Sequence, residues 1–323
     1  MRRDLTALVG PEVAAEGNFL IETHLDPVLQ SVVERQLRNL VSNAGGLGVS
    51  EGAAVVIDSS TGGVLAIAGG RDYRFSQFNR ASMALRQPGS TFKLMTYLAA
   101  LERGIKPSET IDCSSLNWRG QRFESSCQGR LSLTNAFASS SNTAALRLAQ
   151  RVGLEQVVRQ ARALGITTPL DPVPGLALGQ SEVRLIELTG AYAAIVNKGE
   201  WRPPNTIRRL LDAETCREDN LRGCGSLAGD DQRQVNTGRQ AVRSDSAAQM
   251  QALLRAVVRS GTGTAASLGG QEGGKTGTTN EGRDLLFVGY EPSRRWVLGI
   301  WLGNDDNSPS RSSSALAASL WAD

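Results

Sequence analysis

Two β-rich runs near the start of this 323-residue chain and three near its end bracket a mostly helical middle. The early pair is Ala53 to Asp58 and Val64 to Ala68, joined by the hairpin signal Ser59-Ser60-Thr61-Gly62-Gly63. The late set is Gly273 to Thr279, Leu285 to Tyr290 and Trp296 to Leu302, with Pro292-Ser293 as a turn. Strands at both ends and helices between them predict an α+β domain. Its mostly antiparallel central sheet is built from both ends of the chain and flanked by helices. Helical spacing marks Thr23 to Asn43, opened by Asp26-Pro27, and Leu154 to Leu164, Val183 to Val196 and Ser246 to Arg259, each closed by a glycine. Leu133 to Val152 is helical but interrupted at Ser139-Ser140-Ser141-Asn142, and Ser314 to Trp321 forms the last helix. Residues 1–20 are weakly patterned and read as a linker, which leaves one domain over 21–323.

Within this frame one stretch carries chemistry. Pro88-Gly89 stops the preceding segment, and Phe92, Leu94, Met95, Tyr97, Leu98 and Leu101 then rise with helical spacing. Ser90 falls at the mouth of that helix, where free N–H groups and the positive dipole end favour negative charge. Lys93, three residues on, lies on the same face. Taken alone, Ser90 reads as a helix cap. As a nucleophile it needs a base, and a lysine serves only where burial or a second cation lowers its pKa.

Lysine usage favours the chemical reading. Of 35 basic residues only Lys93, Lys106, Lys198 and Lys275 are lysine, so 31 are arginine. Where charge alone is wanted this chain uses arginine, which does not deprotonate in proteins. The single histidine, His24, reads as a surface residue at a helix start and leaves little for a Ser-His-Asp triad. A net charge of +3, spread along the chain, offers no basic stripe for nucleic acid.

Cys113, Cys127, Cys216 and Cys224 form no C-x-x-C and have no histidine beside them, so no zinc site is expected. They fall as two local pairs in polar, turn-rich stretches. Two loop disulfides are predicted, Cys113–Cys127 and Cys216–Cys224, with an oxidising, extracytoplasmic compartment. No segment has the ~18 consecutive apolar residues of a membrane span, and Pro11-Glu12 interrupts any signal-peptide pattern after Met1-Arg2-Arg3.

Two further motifs complete the set: Ser140-Ser141-Asn142 and Gly274-Lys275-Thr276-Gly277-Thr278-Thr279. In the order S-x-x-K, S-x-N, K-T-G, they match the signature of penicillin-binding proteins and class A β-lactamases. Phe78-Asn79-Arg80-Ala81, Arg86 to Ser90, Gly261-Thr262-Gly263-Thr264, Gly274 to Asn280, Gly303-Asn304-Asp305-Asp306 and Thr23 to Gln30 extend the likeness. From about residue 20 the chain resembles the transpeptidase domain of class A (bifunctional) penicillin-binding proteins. Leu94, Ala144 and Leu286 depart from it, standing where that family often has proline, proline and tryptophan.

The resemblance implies a peptidoglycan DD-transpeptidase without cofactor. Ser90 would attack the penultimate D-alanine of a stem peptide, Lys93 would take its proton, and Ser140 would relay a proton to the leaving amine. Asn142 would hold the donor amide or Lys93. Lys275, Thr276 and Thr278 would attract the terminal carboxylate, with Gly277 letting the strand come close, and the N–H groups of Ser90 and Thr278 would form an oxyanion hole. β-Lactams would be trapped on Ser90. The partner glycosyltransferase and membrane anchor would lie on sequence outside this chain, at the periplasmic face of the membrane. Asp72, Arg80 and Asp284 read as structural. Three alternatives share the fold: a DD-carboxypeptidase, a penicillin sensor or scaffold, and a β-lactamase, though the last lacks the E-x-x-L-N pattern here.

Overall fold

The computed structural model describes residues 1–215, 226–228 and 237–323. Its central sheet has five strands: β1 Glu51–Asp58, β2 Val64–Ala68, β3 Gly273–Thr278, β4 Asp284–Glu291 and β5 Trp296–Gly303. Their order is β3-β4-β5-β1-β2, antiparallel throughout. The β5–β1 pairing, Trp296↔Asp58 to Gly303↔Glu51, joins the two ends of the chain as the sequence predicts. Because successive side chains leave opposite faces, β1 sends Ala53, Val55 and Ile57 into one core, with Val297 and Trp301 of β5. Ala54, Ile300 and Leu302 enter the other. Both faces are covered, so Gly52 to Ile57 reads as an unbroken apolar run rather than an alternation.

The rear core packs under the Pro27–Asn43 and Ala315–Ala322 helices through Leu37, Val41, Ala317 and Trp321. Asp26 starts the first by accepting from the N–H groups of Val28 and Leu29 at 2.9 and 3.1 Å. The front core is larger. At its centre the Lys93–Glu102 helix is buried at every position from Lys93 to Leu101, which is why its apolar residues spread around the whole axis. Around it lie helices Leu133–Ala138, Asn142–Val152, Leu154–Ala163, Leu185–Val196 and Ser244–Ser260.

Three details differ from the sequence reading. Residues 1–20, read as a weakly patterned linker, carry helices Arg2–Val9 and Pro11–Glu16 and the start of a strand, Phe19–Thr23. That strand pairs with Ile207–Asp212, an element the sequence reading passed over, and the Asp4 carboxylate accepts from the Thr206 N–H and hydroxyl. The helix expected from Thr23 begins at Pro27, because Thr23 still belongs to the strand. His24 is half-buried rather than a surface residue, its ring so close to Gly63 that a Cβ there would lie 2.5 Å away.

Cys113 and Cys127 form the expected disulfide with a Cα separation of 5.5 Å, closing the strands Thr110–Asp112 and Arg130–Ser132 over a small hairpin. The Cys216–Cys224 pair lies outside the described residues. With a sequence separation of 14 between the partners, loop entropy gives the link about 2–3 kcal/mol. A Cys113→Ala/Cys127→Ala protein is therefore expected to unfold at lower urea by about that free energy. Equal midpoints for the two proteins would show that the loop is already ordered without the bond.

Candidate active site

At two glycines, two backbones touch. Gly89 is left-handed (φ 52°), and Ser90 follows in a 3-10 turn, Gly89–Phe92, that leads into the Lys93 helix. Strand β3 faces it. A Cβ on Gly277 would lie 2.4 Å from the Pro88 carbonyl oxygen, and one on Gly89 would lie 3.1 Å from that of Thr278. Only glycine allows such an approach, so the P-G-S and K-T-G motifs are two sides of one contact. The turn is braced by Thr91 Oγ1 donating to Pro88 O at 2.7 Å and by the Tyr192 hydroxyl donating to Thr91 O at 2.8 Å. The Ser90 hydroxyl has no hydrogen-bond partner among the described residues.

Lys93 is fully buried, and its Nζ donates to Ser140 O at 2.6 Å, Asn142 Oδ1 at 2.6 Å and Ser140 Oγ at 3.2 Å. The break between helices makes this possible. Ser140 is left-handed (φ 57°), a conformation that costs a non-glycine residue on the order of 1 kcal/mol and collects at functional sites. The three serines of the break turn to different partners. Ser139 Oγ is spent on Asn135 O at 2.8 Å, and Ser141 Oγ caps the next helix at Ala144 N, 3.3 Å away. Ser140 alone of the three faces the lysines.

Lys275 reaches the same hydroxyl from the opposite side. Its Nζ donates to Ser140 Oγ at 3.0 Å, Thr276 O at 3.0 Å and Thr276 Oγ1 at 3.3 Å, and lies 5.7 Å from the Phe137 ring centre. Thr276 Oγ1 also meets Thr262 Oγ1 at 2.5 Å. Thr278 is exposed at the cleft, but its hydroxyl is shared: it donates to Ser314 Oγ at 2.9 Å and accepts from Ser314 N at 3.2 Å. The sequence-predicted residues Ser90, Lys93, Ser140, Asn142, Lys275, Thr276, Gly277 and Thr278 thus come together. Phe137, Thr262 and Ser314 join them, Phe137 and Ser314 without a local signal. Only the Gly261-Thr262-Gly263-Thr264 run pointed to one of them.

Burial sets the electrostatics. It holds the Lys93 ammonium well below the usual lysine range, and the second cation, Lys275, adds to the shift. Burial also brings Lys275 down to about 7. Two amines bridged by one hydroxyl can then sit in different protonation states near neutrality, which is what a base beside a cation requires. Among the described residues no group of three or more His, Cys, Asp or Glu could share a metal ion.

The residues read as structural occupy supporting places. Arg80 is buried and forms a two-point ion pair with Asp305, Nε to Oδ1 at 2.7 Å. Asp284 accepts from Trp301 Nε1 at 2.8 Å, and Asp72 pairs with Arg74. The departures Leu94, Ala144 and Leu286 are all core residues. Leu286 sits across from Trp301, whose ring carries the Arg86 guanidinium at 4.6 Å.

A family model described as the penicillin binding protein transpeptidase domain matches residues 52–322. Penicillin-binding protein 1A of Aquifex aeolicus is 37% identical over 287 residues, covering 84% of this chain and 37% of that one. Penicillin-binding protein 1B of Vibrio cholerae is 30% identical over 333 residues, covering 98% and 41%. Among solved structures, the penicillin-binding protein PonA1 from Mycobacterium tuberculosis superposes with a TM-score of 0.84 at 25% identity. That match covers 99% of this chain and 87% of that one, and the PonA1 complex with penicillin V gives 0.83. The chain spans well under half the length of the curated relatives it matches.

Proposed function

The chain belongs to the penicillin-binding protein transpeptidase domain family, and on that premise we propose that it is a serine-type D-alanyl-D-alanine transpeptidase of peptidoglycan, acylated by β-lactams at Ser90. The observation that carries this reading is the buried Lys93–Ser140–Lys275 bridge beside a serine with an unengaged hydroxyl. The neutral Lys93 amine takes the hydroxyl proton as Ser90 Oγ attacks the carbonyl carbon of the penultimate D-alanine. The N–H groups of Ser90 and Thr278 receive the oxyanion; losing one such donor typically costs about 3 kcal/mol. As the C–N bond breaks, the proton passes from Lys93 through Ser140 to the departing amine, and an ester on Ser90 remains. The Lys275 ammonium and the Thr276 hydroxyl hold the donor's terminal carboxylate. Thr278 adds its hydroxyl on exchanging it from Ser314, and Asn142 holds Lys93 with its Oδ1, leaving its amide N–H groups for the donor peptide.

The amine of a second stem peptide then attacks the ester, forming the cross-link and restoring Ser90. Water in its place would make a carboxypeptidase. In a β-lactam the broken amide stays tethered, so the ester persists. The Cys113–Cys127 disulfide supports a setting outside the cytoplasm, at the periplasmic face of the membrane.

The test is second-order acylation by benzylpenicillin across pH, paired with donor-plus-amine incubations that weigh amide product against hydrolysis. Below the lowered pKa of Lys93 the base is protonated, so the rate climbs with pH through that value. It falls again as Lys275 loses its charge near pH 7. A bell with its falling limb near neutrality is expected. A single rise near pH 10 would mean that neither lysine is tuned as proposed. Stability carries the matching sign. The folded state holds the Lys275 proton less tightly than the unfolded chain does, so its share of stability rises with pH between about 7 and 10.5.

A further inference from the structure

Two amines share the Ser140 hydroxyl, and acylation needs the proton on Lys275 and a free electron pair on Lys93. Hydrogen bonds favour the opposite arrangement. Lys93 Nζ has two amide-type oxygens as acceptors, Ser140 O and Asn142 Oδ1, both at 2.6 Å. Lys275 Nζ has one, Thr276 O at 3.0 Å, besides two hydroxyls. The first set stabilises an ammonium more than the second does. Burial does not separate the two amines, since both are fully buried. Neither has a carboxylate partner among the described residues.

One contact does distinguish them. Lys275 Nζ lies over the Phe137 ring, 5.7 Å from its centre, inside the reach of about 6 Å over which a ring face attracts a cation. Lys93 has no such ring among the described residues. Phe137 is itself fully buried, and Tyr97 packs on it edge to face with ring centres 4.7 Å apart. Desolvation puts such a contact at the strong end of its range. A ring also stabilises a cation without carrying net charge. Its field fades quickly, so it does not draw the proton back to Lys93 as a carboxylate would, nor does it compete with the donor's carboxylate for the ammonium.

No other charge nearby can take this part. The Leu133–Ala138 helix, the break at 139–142 and the Gly89–Phe92 turn bear no ionisable side chain. On β4, Val288 stands opposite Lys275, and Asp284 and Glu291 are at the two ends. On the Ser244–Ser260 helix, Asp245 pairs with Arg243, while Arg255 and Arg259 act on Tyr290. The Lys93 helix offers Lys93, Tyr97, which burial keeps neutral, and Glu102 at its far end.

We propose that Phe137 decides which bridged amine carries the proton, its ring face holding the charge on Lys275 so that Lys93 stays neutral as the base. It touches neither the donor nor the reacting atoms and acts through Lys275 alone. The proposal rests on Lys93 as the base toward Ser90 and Lys275 as the cation.

Mono-, tri- and pentafluorinated phenylalanine in place of Phe137 test it, because fluorine progressively cancels the negative ring face while nearly keeping its shape. The readout is the falling limb of the pH profile for acylation by benzylpenicillin, in proteins whose melts match wild type. That limb is expected to move to lower pH in step with fluorination, by about 0.5–1 pH unit for the pentafluoro ring. Just above neutrality this is a loss of about threefold to tenfold. Phe137→Leu should shift the limb the same way, and Phe137→Tyr, which keeps the ring face, should not. A limb that stays in place across the fluorinated series overturns the assignment, because packing is held nearly constant there. A wild-type profile without a falling limb, or no ester on Ser90, overturns the underlying reading instead, and the proposal with it.

Discussion

Replacing Lys93 by arginine is expected to leave a folded protein that benzylpenicillin acylates 10²–10⁴-fold more slowly, the usual worth of general-base assistance. Arginine keeps the positive charge beside Ser90, and it can donate to Ser140 O and Asn142 Oδ1 as Lys93 does. It cannot give up its proton to become a base. Lys93 is fully buried, so the larger side chain also strains the core by about 1–3 kcal/mol, and thermal melts must accompany the rates. The other lysines are internal controls. Lys106 and Lys198 are exposed, and their arginine variants should acylate like wild type. Lys275→Arg should fall between, because that position needs charge and hydrogen bonds but no proton transfer. Acylation of Lys93→Arg within a few fold of wild type would remove Lys93 as the base.

Gly277→Ala is expected to lower acylation by about 10²–10³ through geometry alone. The added methyl would lie 2.4 Å from the Pro88 carbonyl oxygen and 2.9 Å from Thr91 Cγ2. The first neighbour is backbone and cannot rotate away, so β3 and the Ser90 turn must separate. In the proposed mechanism the N–H groups of Ser90 and Thr278 act together across that gap, and misplacing one donor of an oxyanion hole has an effect of this size. Lys93, Ser140 and Asn142 lie away from the clash and keep their contacts. A control at Gly46, where a Cβ meets nothing within 4 Å and φ is not left-handed, separates the clash from a general effect of losing glycine. An unchanged rate in a folded Gly277→Ala protein would show that the close approach is not needed for acylation.

What the sequence made legible is what local pattern encodes. The five central strands announced themselves through β-rich runs, and Ser90 and Lys93 through spacing on one helix. The lysine count foretold the two buried amines: of four lysines, Lys93 and Lys275 are inside and Lys106 and Lys198 outside. The interruption at Ser139-Ser140-Ser141 became a left-handed Ser140. Contacts between distant residues stayed hidden. Phe19–Thr23 is a strand because Ile207–Asp212 lies beside it, and nothing near residue 20 records that partner. Ser314 holds the Thr278 hydroxyl across 36 positions, and Phe137 sits beneath Lys275.

Intact-protein mass spectrometry with benzylpenicillin, followed over time and completed by peptide mapping, addresses Ser90 most directly. Ring opening loses no atoms, so the adduct carries the whole mass of the drug. One equivalent is expected, on the peptide that contains Ser90, persisting long after free drug is removed and absent from Ser90→Ala. No adduct on folded protein, or an adduct mapped to any other residue, would contradict the assignment of Ser90 as the nucleophile.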